Sequence, residues 1–188
     1  AEHVSVAALF PDSPRIVTVS SAGKTFNVTG WKIGWLVAHP QVRQQIQALK
    51  QFFSYTSGTP LQPAIARALG EHEDFAQQNR AGLKRCRDVL MESLERVPGI
   101  TFNVPAAGYF TVVDFAEVTT RDSHALNELL TTEFGFTGIP VNRLCRAGSP
   151  VAQRLEHALR LSFCKTEDEM REVATRIDRL AQNMDALK

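Results

Sequence analysis

Two lysines, Lys24 and Lys32, stand in a polar, glycine-containing stretch that directly follows the run RIVTV at 15–19. A β-branched run that leads into serine and glycine is typical of a strand ending in a loop. A lysine amine can condense with an aldehyde, and hydroxyl groups such as that of Ser21, with a second cation, can hold a dianionic phosphate. The stretch therefore suits a phosphorylated aldehyde ligand. The alternative, that these residues form an ordinary solvated loop, stays open at this point.

A second candidate residue, Arg160, lies in the segment LRLSF at 159–163, where apolar and polar residues alternate strictly. Successive side chains of a strand point to opposite faces, so the apolar residues are predicted on one face and Arg160 with Ser162 on the other. The planar guanidinium can bind a carboxylate through two parallel hydrogen bonds. The competing interpretation is an exposed arginine, or one in a salt bridge with Glu156 or Glu167.

Hydrophobic periodicity indicates the elements that must position these residues. It predicts strands at 15–19, 34–37, 100–104, 109–115 and 159–163, and helices at 40–52, 63–69, 74–97, near 126–130 and after 166. Pro40 fits the first turn of its helix. Thr166 and Glu169 form the pattern of a capping box at the start of the last helix.

The segment 21–35, SAGKTFNVTGWKIGW, resembles the lysine motif of the pyridoxal-phosphate (PLP) dependent aminotransferases of fold type I, class I/II. It is especially similar to the kynurenine/glutamine transaminase branch, with proteins like the N-succinyldiaminopimelate aminotransferases. The resemblance extends along the chain. Gly108-Tyr109-Phe110 resembles the family's opening of the small domain, and LRLSFCK at 159–165 resembles its arginine segment.

The resemblance implies a role for five residues. Lys24 would form the Schiff base with PLP and later move a proton at the substrate's Cα. Ser21 and Lys32 would bind the phosphate of the cofactor, and Arg160 would bind the substrate's α-carboxylate. Tyr55, in a helix-breaking segment, would reach the site of the partner subunit in a homodimer.

The resemblance also implies an α/β fold in two parts. Residues 1–97 would be the C-terminal part of the PLP-binding large domain with its connecting long helix, and residues 98–188 a smaller α+β domain. The family's other cofactor contacts are not recognisable before Arg15. We therefore expect a chain that starts partway through a larger protein, and that is inactive on its own.

Composition narrows the range of partners. The 21 basic and 20 acidic residues give a formal charge of +1, without a basic run for nucleic acid or an anionic membrane surface. No apolar run has the length of a membrane span. Three widely spaced cysteines favour neither a zinc site nor a disulfide framework. We therefore expect no bound metal, and we expect the protein in a reducing compartment, the cytoplasm. We predict that one of these cysteines, Cys164, is a small buried hydrophobe.

The function that the resemblance implies is transfer of an amino group between an amino acid and a 2-oxo acid. Two alternatives are a PLP-dependent lyase that cleaves cysteine conjugates at Cβ, and the aminotransferase-like ligand-sensing domain of a transcription regulator. A nucleotide phosphate-binding loop is disfavoured, because the residues around Gly23-Lys24-Thr25 do not satisfy its glycine spacing.

Overall fold

The computed structural model describes residues 3–188, apart from the side chain of Glu73. The chain divides into two compact units, Ala1–Asn79 (unit 1) and Arg80–Lys188 (unit 2). The described elements that begin in unit 1 are α1 (Val6–Leu9), β1 (Val17–Ser21), α2 (Ala22–Thr25), β2 (Gly34–Ala38), α3 (Pro40–Phe53), α4 (Gln62–Glu71) and α5 (Glu73–Leu94). Short 3-10 turns cover Thr29–Trp31 and Thr59–Leu61.

The sheet of unit 1 is a two-stranded antiparallel ribbon, in which β1 pairs with β2. Val19 and Val37 lie on its opposite faces, and they are 75% and 63% exposed. The small core of the unit instead contains Ala22, Ile33 and Ile65. Both faces of the ribbon therefore present apolar side chains to solvent.

Unit 2 is a four-stranded antiparallel sheet in the order β3-β4-β6-β5, with helices packed on one face. Its strands are β3 (Thr101–Phe102), β4 (Phe110–Asp114), β5 (Ile139–Pro140) and β6 (Ala158–Ser162). Its further helices are α6 (Ser123–Leu129), continued by a π-helical turn at Leu130–Phe134, then α7 (Pro150–Arg154) and α8 (Glu167–Ala181). Two 3-10 turns cover Val141–Leu144 and Met184–Leu187.

The predicted alternation in the strand of Arg160 is confirmed. Leu159, Leu161 and Phe163 are buried in the core of unit 2. Arg160 is only half-buried and Ser162 is exposed. The second face of the sheet, which carries Arg160, is therefore available to form a site.

The last helix, α8, begins with the predicted capping box. The backbone N–H of Thr166 donates to Glu169 Oε2 at 2.9 Å, and the N–H of Glu169 donates to Thr166 Oγ1 at 3.3 Å. The backbone N–H of Thr166 and its hydroxyl, whose Oγ1 donates to Glu169 Oε2 at 2.9 Å, hold the pKa of the Glu169 carboxyl below its ordinary value. The cap fixes the helix start directly after the strand that carries Arg160.

The two compact units divide within α5, earlier in the chain than the predicted domain division at 97/98. Cys86, Leu90 and Leu94 of this helix are buried in the core of unit 2, so its C-terminal part belongs with the second sheet. The assignment of 1–97 and 98–188 as domains stays a prediction.

Candidate active site

The stretch with the two lysines is a closed loop that joins β1 to β2. Ser21, the last residue of β1, pairs with Gly34, the first residue of β2. Between them, the N–H of Ala22 donates to the carbonyl of Ile33 at 3.0 Å. The loop (residues 22–33, the lysine loop) therefore leaves and re-enters the ribbon at one fixed point.

Inside the lysine loop, the backbone is tied together by a side chain. Thr29 Oγ1 donates to the carbonyl of Gly23 at 3.0 Å. A Cβ atom at Gly23 would lie 2.9 Å from Thr29 Cα, and one at Gly34 would lie 2.8 Å from the carbonyl oxygen of Ser20. Only glycine permits these close backbone approaches, which explains on steric grounds why Gly23 and Gly34 stand at these positions.

Ser21, Lys24 and Lys32, the three predicted cofactor ligands, all belong to this closed structure and all are exposed. Lys24 lies in the single turn of α2, directly after the buried Ala22 and Gly23. Lys32 has a left-handed backbone, with φ 54°. One hydroxyl and two ammonium groups thus project from a framework that buried residues hold in place.

The left-handed backbone of Lys32 is an uncommon feature of a non-glycine residue. Among the described residues, it is shared by only two others, Asn27 at φ 57° and Tyr55 at φ 50°. The conformation costs a residue with a Cβ about 1–2 kcal/mol. Such strain persists where the surrounding structure imposes it, and it is frequent at functional sites. Two of these three residues, Lys32 and Tyr55, are site residues predicted from the sequence.

Tyr55 follows the C-terminus of α3 in an exposed aromatic segment. Its side chain is 76% exposed, beside Phe52 at 84% and Phe53 at 87%. Lys50 Nζ donates to the carbonyl of Tyr55 at 3.1 Å, which fixes the backbone where the helix ends. The structure thus presents a group of three aromatic rings on the surface of unit 1.

Arg160 lies in the middle of the second sheet, between Val112 of β4 and Ile139 of β5. Its Nε is buried and has no hydrogen-bond partner among the described residues. Its Cζ lies 4.0 Å from the centroid of the Phe110 ring. A buried donor without an acceptor is costly, and a ligand with carboxylate oxygens would satisfy it.

The competing interpretation of Arg160 as a salt-bridge residue is wrong for the part of the chain that is described. No carboxylate of those residues, that of Glu156 included, lies within 4.0 Å of its guanidinium. Glu167 instead pairs with Arg85 at 2.5 Å and with Arg171 at 3.7 Å. The guanidinium of Arg160 can therefore bind a carboxylate from a ligand.

A cavity of about 500 Å³ opens beside Arg160 in unit 2. Phe110 and Ile139 contribute to its apolar wall, and Lys165 and Arg176 are its other cations. These two cations are paired, Lys165 with Glu169 at 3.8 Å and Arg176 with Glu172. Arg160 is thus the cation of this cavity without a carboxylate partner in the described part of the chain.

The prediction for Cys164 is wrong, because its side chain is exposed. The strand β6 ends at Ser162, so Cys164 lies in the turn before α8. The buried thiol is that of Cys86, whose Sγ donates to the carbonyl of Lys165 at 3.3 Å. Burial raises the pKa of the Cys86 thiol.

The described residues contain no group of three or more His, Cys, Asp and Glu side chains that could hold a metal ion. None of the described helices is both long and apolar enough to cross a membrane.

The model of one protein family, aminotransferase class I and II, matches residues 1–177. The chain belongs to this family. The resemblance seen in the lysine and arginine segments is thereby confirmed.

Named relatives belong to the same family of aminotransferases. The chain is 32% identical to a probable N-succinyldiaminopimelate aminotransferase of Mycobacterium tuberculosis over 186 residues, which cover 97% of this chain and 47% of the relative. It is 34% identical to the methionine aminotransferase of Escherichia coli K12, covering 95% and 45%. The match to kynurenine–oxoglutarate transaminase 3 of Bos taurus is 30% identical and covers 90% and 40%. The chain thus spans less than half the length of these curated relatives.

Solved structures lead to the same result. The N-succinyldiaminopimelate aminotransferase from Mycobacterium tuberculosis superposes with a TM-score of 0.83 at 32% identity, over 96% of this chain and 46% of that one. The predicted fold class, part of a fold type I aminotransferase, is confirmed.

The sequence did not lead us to assign a role to Phe110, although its motif was recognised. The contact of its ring with Arg160 depends on the register between β4 and β6, which local sequence does not encode. The short strand β5, on the other side of Arg160, was also missed.

Proposed function

We propose that the chain is the lysine-bearing half of an enzyme that transfers an amino group between an amino acid and a 2-oxo acid, with PLP as cofactor. The observation that carries the proposal is the closed lysine loop. It presents Ser21, Lys24 and Lys32 on a framework fixed by buried glycine and alanine. Family membership supports the same chemistry.

The residues of the lysine loop fit this cofactor. An amine can attach to an aldehyde, and a hydroxyl with a second ammonium group can bind a phosphate dianion. When bound, PLP supplies a ring that stabilises negative charge at the substrate's Cα. In our proposal, Lys24 Nζ would hold the cofactor at its aldehyde carbon at rest, with water as the leaving group. Once the substrate's amine has displaced it, Lys24 would remove and return the proton at the substrate's Cα. Ser21 and Lys32 hold the phosphate.

Arg160 is proposed to bind the α-carboxylate of the substrate. Its buried, unpartnered Nε and its lack of an ion pair among the described residues support this role. A bidentate arginine fixes the orientation of a carboxylate as well as binding it. The orientation determines whether the Cα–H bond points to the base that removes the proton.

We further propose that the domains divide at 97/98. The enzyme is proposed to be cytoplasmic, and its proposed partners are its amino acid and 2-oxo acid substrates. Cys86, Cys145 and Cys164 are free thiols. Free thiols are typical of proteins in reducing compartments.

The full-length protein, loaded with PLP, tests the proposed reaction. Incubated with a panel of amino acids and 2-oxo acids, it should form a new amino acid for each amino donor consumed. Stoichiometric release of ammonia from a cysteine conjugate, without amino transfer, would instead identify the lyase. Binding of amino acids with no turnover of any of them would favour the ligand-sensing alternative.

Lys32→Ala is expected to weaken retention of PLP by about 10- to 100-fold, since it removes a charge-assisted contact to the phosphate. Substrate preference should change little. The dissociation constant is measured from cofactor absorbance after dialysis of the full-length protein. Lys32→Arg keeps the charge and serves as control, and equal cofactor affinity in Lys32→Ala and wild type would contradict the role.

The functional unit is proposed to be a homodimer in which Tyr55 reaches the partner's site. The exposure of Tyr55, Phe52 and Phe53 supports a contact surface there. Sedimentation of the full-length, cofactor-loaded protein should give twice the chain mass. A dimer mixed from Lys24→Ala and Tyr55→Ala subunits should regain activity, because one of its sites then has both residues intact.

If Tyr55 served its own subunit, both sites of that mixed dimer would carry a defect. Mixing would then restore nothing. A fully active monomer would also rule out the cross-subunit role.

A further inference from the structure

We propose that Phe110 is a positioning residue for Arg160. Its ring holds the guanidinium toward the Ser162 end of the sheet and away from Asp114, so that the N–H groups are ready for a carboxylate. The inference rests on the proposed role of Arg160 in substrate binding.

On β4, the register of the sheet gives Arg160 two diagonal neighbours on the same face. Val112 is its partner on β4, and residues two positions away on a strand share a face. Phe110 therefore lies on one diagonal from Arg160 and Asp114 on the other. Diagonal neighbours are within reach of long side chains. The guanidinium can thus turn either to an aromatic ring or to a carboxylate.

The structure shows which neighbour Arg160 contacts. Its Cζ lies 4.0 Å from the centroid of the Phe110 ring. Asp114 Oδ1 instead accepts from the N–H of Ala116 at 3.0 Å, and the carboxylate forms no ion pair with Arg160. The guanidinium of Arg160 thus contacts the ring of Phe110 and not the carboxylate of Asp114. Packing against the ring therefore contributes to its position in addition to charge.

The ring of Phe110 is itself supported. The Tyr109 ring has its centroid 4.4 Å away, tilted by 56°. Phe110 is half-buried, while the adjacent Thr111 is buried on the core face. A guanidinium against a ring face keeps the N–H groups at its edge available for hydrogen bonds. The arrangement therefore presents Arg160 to a ligand before the ligand arrives.

The experiment compares three variants of the full-length, cofactor-loaded enzyme. Phe110→Leu removes the ring face, Phe110→Tyr keeps it, and Phe102→Leu makes the matched change on the half-buried edge strand β3. Should Phe110→Leu not fold, Phe110→Met takes its place. KM and kcat are measured with an α-amino acid and with an amine that lacks the carboxylate. Binding of propionate, an unreactive carboxylate, is measured by calorimetry.

In Phe110→Leu, we expect KM for the amino acid and Kd for propionate to rise about tenfold, as the loss of a desolvated cation–π contact predicts. Turnover of the amine should stay near wild type. Phe110→Tyr should give wild-type values of KM and Kd. Phe102→Leu should change KM for the amino acid and for the amine to the same extent. Adding Asp114→Asn to Phe110→Leu should recover part of the loss, because the competing carboxylate is gone.

An equal loss on amino acid and amine in Phe110→Leu would overturn the inference, as would unchanged propionate binding. Arg160→Gln in the same assays separates this failure from that of the proposed function. If Arg160→Gln discriminates the substrates and Phe110→Leu does not, only the role of Phe110 is wrong. If neither discriminates, the role of Arg160 is wrong as well.

Discussion

Replacement of Lys24 by alanine is expected to lower the rate of amino transfer by at least about 10³-fold, as the loss of a positioned proton-transfer group predicts. Lys24 is the amine that follows the buried Ala22 and Gly23 at the fixed end of β1. The other lysine of the loop, Lys32, lies on the return path, directly before the buried Ile33, and is proposed to bind the phosphate instead. The rate is measured in the full-length protein with saturating PLP.

The covalent role of Lys24 has a test that does not need turnover. Borohydride reduction of the PLP-loaded protein, followed by peptide mapping, should leave the pyridoxyl label on Lys24. Lys84→Ala, at an exposed position of α5, is the matched control and should keep wild-type activity and labelling. A label on another lysine, with Lys24 unmodified, would disprove the assignment.

Arg160→Lys is expected to lower kcat/KM for α-amino acids by about 10²-fold. Lysine keeps the charge but loses the planar fork, so the carboxylate is bound by a point charge and is less well oriented. Poor orientation lowers kcat in addition to raising KM, because the Cα–H bond is no longer aligned for proton removal. The absorption spectrum of the cofactor-loaded enzyme should remain unchanged, since Arg160 is not proposed to bind PLP.

An amine without a carboxylate provides the internal comparison for Arg160→Lys. Its rate should change by less than about threefold, since the removed contact has no counterpart in that substrate. Arg154→Lys, at an exposed position of α7, is the control for the substitution itself. Equal slowing of both substrates, or near wild-type turnover of amino acids, would exclude the carboxylate role.

Local signals in the sequence predicted the elements that carry the site. Pro40 marks the start of α3, since proline is favoured at the first helical position. The capping box of Thr166 and Glu169 starts α8. The alternation around Arg160 predicted its face, because one side of that strand had to be buried. In each case, the signal lies within a few residues of the feature.

Features that depend on distant partners could not be predicted in this way. The strand Ile139–Pro140 exists only through its pairing with β6, and proline is a poor strand former. The ring of Phe110 meets Arg160 through the register of two strands that are about fifty residues apart in sequence. The left-handed backbone of Lys32 follows from closure of the whole lysine loop.

The two-stranded ribbon of unit 1 has a consequence for handling the protein. Within residues 3–188, each of its strands pairs on one side only, so its outer edge keeps backbone N–H and C=O groups that can pair with another chain. The exposed side chains of Val19 and Val37 also give each face of the ribbon an apolar surface that can associate with other apolar surfaces. A ribbon of two strands is also marginally stable by itself. The 188-residue chain in isolation is therefore expected to aggregate by edge-to-edge β-pairing, and soluble material requires a cover for those edges and faces.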